Sequence, residues 1–379
     1  MAIFSFPTTI HFGPGVRSAV ARFLSAQNLS RPLLVTDRGI APLPMFAEFT
    51  KNLNATGSLE IAVFSEVFGN PTKSQVTAGV EAFRRHKADS IVGLGGGAAL
   101  DVAKAIALMA HHPGDLFDYE DGKADALPFD RQIPFWVALP TTSGTGSEVG
   151  RSAVISDDAT HIKKIIFSPK LLAQAVFADP ELTLDLPAKI TAATGMDALT
   201  HCIEAFLAKN FHPLCDGIAL EGLRLAGKSL EKTVKSPADI EARSDMMMAS
   251  MMGAIAFQKG LGLNHSCAHA LSAVVNLHHG LANAVMLPYA LPFNFAIAEN
   301  RFARMATTLD LKERTGPAFI HWLCELNRTI GIPEKLSQLG VKREQFPALV
   351  KIASKDSCHS NNPRLVTAQD FQTIFEDAL

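Results

Sequence analysis

The chain has 379 residues, of which 47% are hydrophobic and 19% are charged, and its formal net charge at pH 7 is −2. This length favours two domains over one. The near-zero net charge and the lack of any block of five or six like charges argue against a nucleic acid or a membrane surface as partner. Small neutral or mildly charged ligands are favoured instead.

The N-terminal sequence MAIFSFPTTIHFG lacks the cationic start and the apolar core of a signal peptide. No unbroken apolar span of 18 residues is present, since the run AALDVAKAIALMA is interrupted by Asp101 and Lys104. The five cysteines are an odd number without a CxxC pair, which is typical of reduced thiols. We therefore expect a soluble, cytoplasmic protein.

The first part of the chain alternates short β-branched runs with amphipathic segments. The runs are RPLLVTD (31–37), LEIAVFSEV (59–67), DSIVGLGGG (89–97) and IPFWVALPTT (133–142). Strand and helix patterns that alternate at this spacing predict a Rossmann-like α/β domain, with a parallel sheet and helices on both of its faces. Ligands of such sheets bind beyond the carboxyl ends of the strands, where Gly, Asp and Thr cluster in this chain.

From about residue 187 the apolar positions recur with a period of 3.6, and no convincing alternation follows AVFADPELT. This pattern predicts an all-α second domain. Pro180 and Pro187 mark the boundary between the alternating strand-helix pattern and the helical pattern. We place a dinucleotide-binding α/β domain at 1–183 and a helical metal-binding and substrate domain at 184–379.

The segment SIVGLGGGAALDVAKAI is a strand, a glycine turn and a helix. Gly95, Gly96 and Gly97 lack β-carbons, so the backbone can approach a pyrophosphate while the N–H groups of the helix start face it. The spacing matches the loose dinucleotide pattern, although a tight structural turn would look similar. We include Asp101, on the following helix, among the candidate cofactor contacts.

The position of the glycine turn departs from the ordinary Rossmann order, because two predicted strands precede it. The acid that binds a ribose therefore need not follow the glycines. Asp37, at the end of the first strong strand, can accept both hydroxyls of an adenosine ribose and would repel a 2′-phosphate, which favours NAD over NADP. An aspartate that only forms a turn at the strand end is an open alternative.

A second polar loop, PTTSGTGSE (140–148), also follows an apolar strand. Its residues Thr141, Thr142 and Ser143 can donate hydrogen bonds to phosphate, amide or ribose oxygens. Because both loops follow parallel strands, they should lie at the same sheet edge. This common placement favours a ligand-binding site over a polar loop that binds no ligand.

Two histidine-bearing pairs have the spacing of one helical turn. Asp197 and His201 lie in TGMDALTHCIEAFLA, and His265 and His269 lie in GLGLNHSCAHAL. Residues at i and i+4 share a helix face, so both side chains can reach one point. A buried Asp–His hydrogen bond would satisfy the first pair equally well, and the spacing leaves that alternative open.

Four of the thirteen histidines fall within fifteen mostly apolar residues, ending at the pair 278–279. Buried imidazoles gathered in this way are easier to explain as ligands than as separate core residues. One aspartate with two or three imidazoles suits Fe²⁺, Zn²⁺, Mn²⁺, Co²⁺ or Ni²⁺ and leaves an open coordination position. The spacing does not say which histidines bind.

The motifs GGGAALDVAK, PTTSGTGSE, TGMDALTHCIEAF, GLGLNHSCAHAL and HHGLANAVMLPYALPFN together resemble the iron-containing (group III) alcohol dehydrogenase family. The resemblance runs in order from about residue 9 to residue 364, and five ordered motifs make it highly specific. One position departs from the family, which usually has Ser after the triple glycine where this chain has Ala98. The backbone donors of the turn remain.

The resemblance implies specific roles. An α/β domain and a helical domain would enclose a cleft, with His269 beside the nicotinamide and the substrate as a non-ligand. The implied metal ligands are Asp197, His201, His265 and His279. The implied cofactor contacts are Asp37, Asn70, Gly96, Gly97, Thr141, Thr142 and Lys163.

From these residues we expect a metal-dependent enzyme that transfers a hydride between a primary or short secondary alcohol and NAD, with Fe²⁺ or Zn²⁺ as the metal. An ω-hydroxy acid such as 4-hydroxybutyrate is a candidate substrate if Asn362 and Arg364 fix its carboxylate, although pairing of Arg364 with Asp356 or Asp370 is the favoured interpretation. Family members suggest a homodimer or larger assembly. The alternatives are a maleylacetate reductase, a glycerol-dehydrogenase-like or dehydroquinate-synthase-like enzyme, and a non-enzymatic nucleotide-binding protein.

Overall fold

The computed structural model describes residues 6, 8–55, 57–160 and 162–379. These residues form two compact units. The sheet unit comprises Phe6–Thr142 and Gly146–Thr183, and the helical unit comprises Ser143–Thr145 and Leu184–Leu379. The short segment 143–145 falls within the first predicted domain but packs with the helices, because Gly144 lies against Thr194: a β-carbon on Gly144 would be 2.8 Å from Cβ of Thr194.

Six strands of the sheet unit form one parallel sheet in the order β1-β8-β5-β4-β2-β3, and two form an antiparallel hairpin, β6-β7. The strands are β1 (Thr9–Phe12), β2 (Pro32–Asp37), β3 (Ala62–Val67), β4 (Ser90–Gly95), β5 (Phe135–Pro140), β6 (Ser152–Ser156), β7 (Lys163–Phe167) and β8 (Ala175–Ala178).

The four strands expected from the apolar runs are confirmed as β2 to β5, and the parallel α/β sheet with them. The expectation that two strands precede the glycine turn was wrong, because the edge strand β1 also precedes it. The hairpin β6-β7 was also missed. Strand β6 is only five residues long and has a serine at each end, and β7 begins with Lys163 and Lys164, so neither forms a clear apolar run.

Helices cover both faces of the sheet, as predicted. They are α1 (Val20–Ala26), α2 (Pro44–Asn54), α3 (Lys73–His86) and α4 (Gly97–His111). Successive strand residues point to opposite faces. Leu34 and Val92 share a core with α1 and α2, whereas Gly93 faces α4, where its missing β-carbon would lie 3.1 Å from Leu100.

The described part of the helical unit contains no strand, which confirms the all-α prediction. Its helices are α5 (Ala188–Leu207), α6 (Pro213–Lys235), α7 (Ile240–Ala256), α8 (Leu263–Val275), α9 (His279–Ala290), α10 (Phe295–Thr308), α11 (Gly316–Thr329), α12 (Phe346–Ala353) and α13 (Ala368–Ala378). Helix α5 is buried on almost every side, with α6, α7 and α9 packed around it. A helix that is apolar all round belongs in the core, so polar residues on α5 are buried as well.

One helical run among the described residues, from His279 to Thr308, is long and apolar enough to cross a membrane by length and composition alone. Its most apolar window has a mean hydropathy of 1.4, and 56% of that window is buried inside the protein. The run consists of α9, a 3-10 turn and α10, and its buried side belongs to the core of the helical unit. Core helices of globular proteins meet the same criterion.

Candidate metal and cofactor sites

The four predicted metal ligands meet at one point of the helical unit. The Oδ1 atom of Asp197 lies 3.5 Å from Nε2 of His279, 3.9 Å from Nε2 of His201 and 3.9 Å from Nε2 of His265. Three helices supply these donors: α5 carries Asp197 and His201, α8 carries His265, and α9 begins at His279. Three of the side chains are at least 96% buried, whereas that of His279 is 27% exposed.

These donors fit a divalent transition-metal ion. Ligand atoms that are each about 2.1 Å from one ion lie about 3.0–3.5 Å apart. The ligand atoms of Asp197, His265 and His279 all lie within 4.8 Å of one another, and His201 approaches this group through its contact with Asp197. Burial lowers the pKa of His201 to about 4 despite the nearby carboxylate, so its ring is neutral and offers a lone pair. Burial disfavours ionisation of Asp197, but the surrounding imidazoles outweigh it and lower the pKa of this carboxyl to about 2. One anionic oxygen and neutral nitrogens form a mixed donor set without thiolate.

Asn283 lies inside this group of donors. It stands one turn after His279 on α9, and its amide nitrogen is 2.8 Å from Oδ1 of Asp197 and 3.2 Å from Nε2 of His279. Its amide oxygen accepts from Asn264, 3.0 Å away, which fixes the orientation of the amide. Asn283 was not predicted from the sequence, although an asparagine at i+4 from a candidate ligand in an apolar helix is a usable signal.

Glu204 supports His265 from behind. Its carboxylate accepts a hydrogen bond from Nδ1 of His265 and two more from the backbone N–H groups of Asn264, at 2.8 Å, and His265, at 3.2 Å. Burial acts to lower the pKa of His265, but the bond with Glu204 outweighs it and raises this pKa. A carboxylate that holds Nδ1–H directs Nε2 to the metal and increases its basicity. Glu204, which lies at i+7 from Asp197 on α5, was not predicted from the sequence.

His269 stands beside the donor cluster. Its ring stacks on that of His279, with centroids 5.2 Å apart and planes inclined by 18°. Its Nδ1 atom bonds Oδ2 of Asp356 at 2.8 Å, and this bond holds the pKa of Asp356 well below its usual range although burial opposes it. Nδ1 of His269 therefore already has a carboxylate partner from the chain itself.

Two glycines allow the ligand-bearing helices to approach each other. A β-carbon on Gly253 of α7 would lie 2.9 Å from Cβ of His201. A β-carbon on Gly280 of α9 would lie 2.3 Å from the carbonyl oxygen of Ala193. Because real β-carbons do not approach backbone so closely, the placement of His279 depends on glycine at position 280.

The glycine turn of the sheet unit connects β4 to α4. A β-carbon on Gly95 would lie 3.2 Å from Oδ2 of Asp37, and one on Gly96 would lie 3.3 Å from Cγ2 of Thr142. The N–H group of Thr141 donates to the carbonyl of Gly95 at 3.0 Å. The structure thus brings both predicted loops and the strand-end aspartate together, with the helix that begins at Gly97.

The two carboxylate oxygens of Asp37 have different surroundings. Its Oδ1 atom accepts from the backbone N–H groups of Gly39 and Ile40, both at 2.9 Å, so the residue does form a turn. Its Oδ2 atom faces Gly95. One oxygen therefore serves the turn while the other points towards the glycine turn.

Asn70 and Lys163 lie near each other in the sheet unit. Ser156 of β6 pairs with Lys163 of β7, and its N–H group donates to the carbonyl of Pro71 at 2.7 Å. The turn that carries Asn70 is thereby fastened beside the start of β7. Ser143, another predicted cofactor contact, belongs to the helical unit, unlike Asn70 and Lys163.

The carboxylate of Asp101 belongs to a buried hydrogen-bond network and does not face solvent. Its carboxylate accepts from Oγ of Ser147 at 2.6 Å and from the N–H group of Val154 at 2.9 Å. Lys104, which is fully buried, donates to the same Ser147 hydroxyl and to the carbonyl of Ser152, both at 2.7 Å. These bonds hold α4 against the second loop and β6, so they stabilise the position of the loop.

Glu148, in the second loop, is 2% exposed, and burial raises the pKa of its carboxyl to about 7. Its Oε1 atom has no hydrogen-bond partner among the described residues. A buried carboxyl without full solvation favours the neutral form. Near neutral pH this group therefore binds a proton more readily than an ordinary glutamate.

The favoured pairing of Arg364 was wrong. Its guanidinium lies 3.9 Å from the ring centroid of Phe293 and donates to the carbonyl of that residue at 3.1 Å. The two acids considered as partners are engaged elsewhere, since Asp356 bonds His269 and Asp370 bonds Thr367. The bond with Thr367 is local, whereas the bond with His269 joins residues 87 positions apart in the chain.

An α/β sheet with a glycine turn, and a helical unit with a carboxylate and three imidazoles around one point, define a metal-dependent class of oxidoreductases. Comparison with known families agrees. The family described as "Iron-containing alcohol dehydrogenase" matches residues 7–180, and "Fe-containing alcohol dehydrogenase family, C-terminal" matches residues 191–379. The chain belongs to the iron-containing alcohol dehydrogenase family and is an enzyme.

Individual relatives cover the whole chain. It is 39% identical over 393 residues to a 4-hydroxybutyrate dehydrogenase of Cupriavidus necator and 36% identical over 390 residues to an NAD-dependent methanol dehydrogenase of Bacillus methanolicus, with 100% of each chain covered. Among solved structures, a 1,3-propanediol oxidoreductase superposes with a TM-score of 0.95 at 34% identity, also over 100% of both chains.

Proposed function

We propose that this enzyme transfers a hydride between a primary or short secondary alcohol and NAD, with a divalent metal held by Asp197, His201, His265 and His279. The observation that carries the proposal is the approach of three imidazole Nε2 atoms to within 3.5–3.9 Å of one carboxylate oxygen. Fe²⁺ is the metal that the family name indicates, and Zn²⁺ suits the same donors.

The metal supplies a Lewis acid that makes a bound alcohol easier to deprotonate, as bound zinc lowers the pKa of water from 15.7 to about 7, and NAD supplies the hydride acceptor. The chain's own residues orient and hold these groups. Glu204 fixes His265 through Nδ1 before any ligand arrives, so little reorganisation of this ring is needed at the moment of reaction.

The nucleotide is assigned to the sheet unit. Gly96 and Gly97 present backbone N–H groups at the start of α4, where the helix dipole favours a pyrophosphate. Asp37 offers Oδ2 to the adenosine ribose and would repel a 2′-phosphate, so NAD is favoured over NADP. Asn70, Thr141, Thr142, Ser143 and Lys163 complete the proposed contacts, while Asp101 supports the loop.

Within the alcohols, we propose ω-hydroxy acids such as 4-hydroxybutyrate as the first substrates to test. The support is the 39% identity to a relative of that name. Arg364 is exposed and stacked on Phe293, so it remains available to an anionic group. We further propose a cytoplasmic homodimer or larger assembly, by analogy with the family.

The test begins with metal removed by a chelator under anaerobic conditions and verified by elemental analysis. NADH formation should then be absent for alcohols of several lengths, including 4-hydroxybutyrate, and should return with Fe²⁺ or Zn²⁺. Asp197→Asn should lose both metal and turnover, whereas His321→Ala, a change of an exposed histidine on α11, should retain both. Full turnover in the verified metal-free enzyme would exclude the mechanism. NADH binding without turnover of any alcohol would favour a nucleotide-binding protein.

A further inference from the structure

Two histidines one turn apart on α8 are held by two different carboxylates. His265 donates its Nδ1–H to Glu204 of α5, and His269 donates its Nδ1–H to Asp356, which follows α12. In both rings Nδ1 carries the proton because its partner is a carboxylate, which only accepts. In the neutral form of each ring, Nε2 therefore carries the lone pair.

The two Nε2 atoms differ in surroundings. That of His265 lies 3.9 Å from Oδ1 of Asp197, among the proposed metal donors. His269 is outside that donor group, and its side chain is 29% exposed. The same hydrogen-bonding arrangement thus prepares one ring for a metal and leaves the other ring with an accessible acceptor atom.

Asp356 is itself held in place by its neighbours. Its Oδ1 atom accepts from Oγ of Ser266 at 2.8 Å and from the N–H group of Cys358 at 2.9 Å. The Ser266 hydroxyl in turn accepts from the N–H group of His359 at 3.0 Å. Oδ2 bonds His269, and the Cys358 thiol also contacts the carboxylate, so several partners fix its geometry.

We propose that Asp356, fixed by Ser266, is a positioning residue that holds His269 in its Nδ1–H tautomer and so presents Nε2 as a hydrogen-bond acceptor to a substrate or cofactor hydroxyl. This inference rests on the proposed function for the identity of that hydroxyl. Stacking on His279 fixes the plane of the ring, and Asp356 fixes which edge carries the proton. A donor at position 356 would reverse that choice, because an amide N–H can bond Nδ1 and force the proton onto Nε2.

The variant Asp356→Asn keeps the side-chain shape and introduces this donor. We expect kcat to fall on the order of 10²-fold or more, as for loss of a tautomer-setting carboxylate or of a positioned acid–base group, while KM for NAD changes by less than about threefold. Asp356→Glu should recover part of kcat. Asp377→Asn, an exposed carboxylate change on α13, is the matched control. An unchanged kcat in Asp356→Asn would overturn the proposal.

The tautomer is measured without any turnover, by ¹⁵N NMR of histidine-labelled, zinc-loaded protein, with the His269 signals identified by their loss in His269→Gln. The wild type should show a protonated Nδ1 and an unprotonated Nε2, and Asp356→Asn should show the reverse. Ser266→Ala, which removes one bond to Asp356, should give a mixture and serves if Asp356→Asn does not fold. A wild-type ring protonated on Nε2 would overturn the inference even if the enzyme oxidises alcohols. The expected tautomer in an enzyme that oxidises none would support the positioning and reject only the proposed function.

Discussion

Gly280 and Ala193 are in such close contact that a β-carbon on the glycine would lie 2.3 Å from the alanine carbonyl oxygen. The first turn of α9 therefore lies directly against α5, and His279 reaches Asp197 because of it. Gly280→Ala should push α9 away and displace His279. We expect a loss of about 1–3 kcal/mol in stability from overpacking and weaker metal binding, measured by thermal unfolding and by chelator competition.

The control for this change is Gly217→Ala on α6, where an added β-carbon meets nothing within 4 Å. Alanine there should stabilise the helix by about 0.5–1 kcal/mol and leave metal affinity unchanged. Equal metal affinity in the two variants would show that α9 can shift without cost to the site.

Glu204→Gln tests the support of His265. The amide is nearly the same size, but it replaces an anionic acceptor that holds one ring N–H and two backbone N–H groups. We expect metal affinity to fall about 10–100-fold, which competition with a chelator of known affinity will measure. Glu221→Gln, on the exposed side of α6, is the control and should not alter affinity. If both variants bind metal as tightly as the wild type does, the Glu204 carboxylate has no role in preparing His265 to bind the metal.

We expect the stability of the folded enzyme to depend on pH through Glu148. Burial raises its pKa in the folded enzyme to about 7, above its ordinary value of 4.5, so the folded state binds the extra proton between these pH values. Stability linked to this group is therefore fully present below about pH 4.5 and is lost as pH rises through about 7. Glu148→Gln mimics the protonated form and should remove this loss.

The measurement is the melting midpoint of Glu148→Gln and wild type in buffers at pH 5 and pH 8. The variant should melt near the wild-type midpoint at pH 5 and above it at pH 8, because at about 1.4 kcal/mol for each pKa unit the penalty reaches about 3 kcal/mol. Glu81→Gln, an exposed change on α3, should give parallel curves. A variant that is less stable than wild type at pH 8 would contradict the assignment.

Asp37 sets the choice of nucleotide in the proposed function. Asp37→Gly removes the charge that would repel a 2′-phosphate, and the ratio of kcat/KM for NADP to that for NAD should rise about tenfold, which corresponds to about 1.4 kcal/mol. Asp37→Asn separates the charge from the turn, since it keeps an acceptor for the N–H groups of Gly39 and Ile40. If neither variant changes the ratio, Asp37 serves only the turn.

The sequence was sufficient where the signal is local. Asp197 and His201 share one helical turn, and the glycine turn lies between a strand and a helix, so spacing alone indicated their placement. The roles of Glu204 and Asp356 were missed because their partners come from other elements, and Asn283 was missed although it follows His279 by one turn on the same helix. The hydrogen bonds that give these residues their roles exist only once α5, α8, α9 and the segment after α12 are packed.

The same reasoning explains the remaining errors. Strand β6 has a serine at each end of a short apolar segment, and β7 begins with two lysines, so the hairpin gave no clear period-2 or apolar pattern. The environment of Arg364 depends on Phe293, which is distant in the chain. The cofactor contact of Asp101 stays a prediction, and in the structure its oxygens accept hydrogen bonds from Ser147 and Val154.

All four metal donors belong to the helical unit, whereas Asp37 and the glycine turn belong to the sheet unit. Under the proposed function, selection or engineering can therefore alter nucleotide preference through one set of residues and the choice of ion through another. Enzymes descended from a common ancestor with this division can diverge in either property while inheriting the other unchanged.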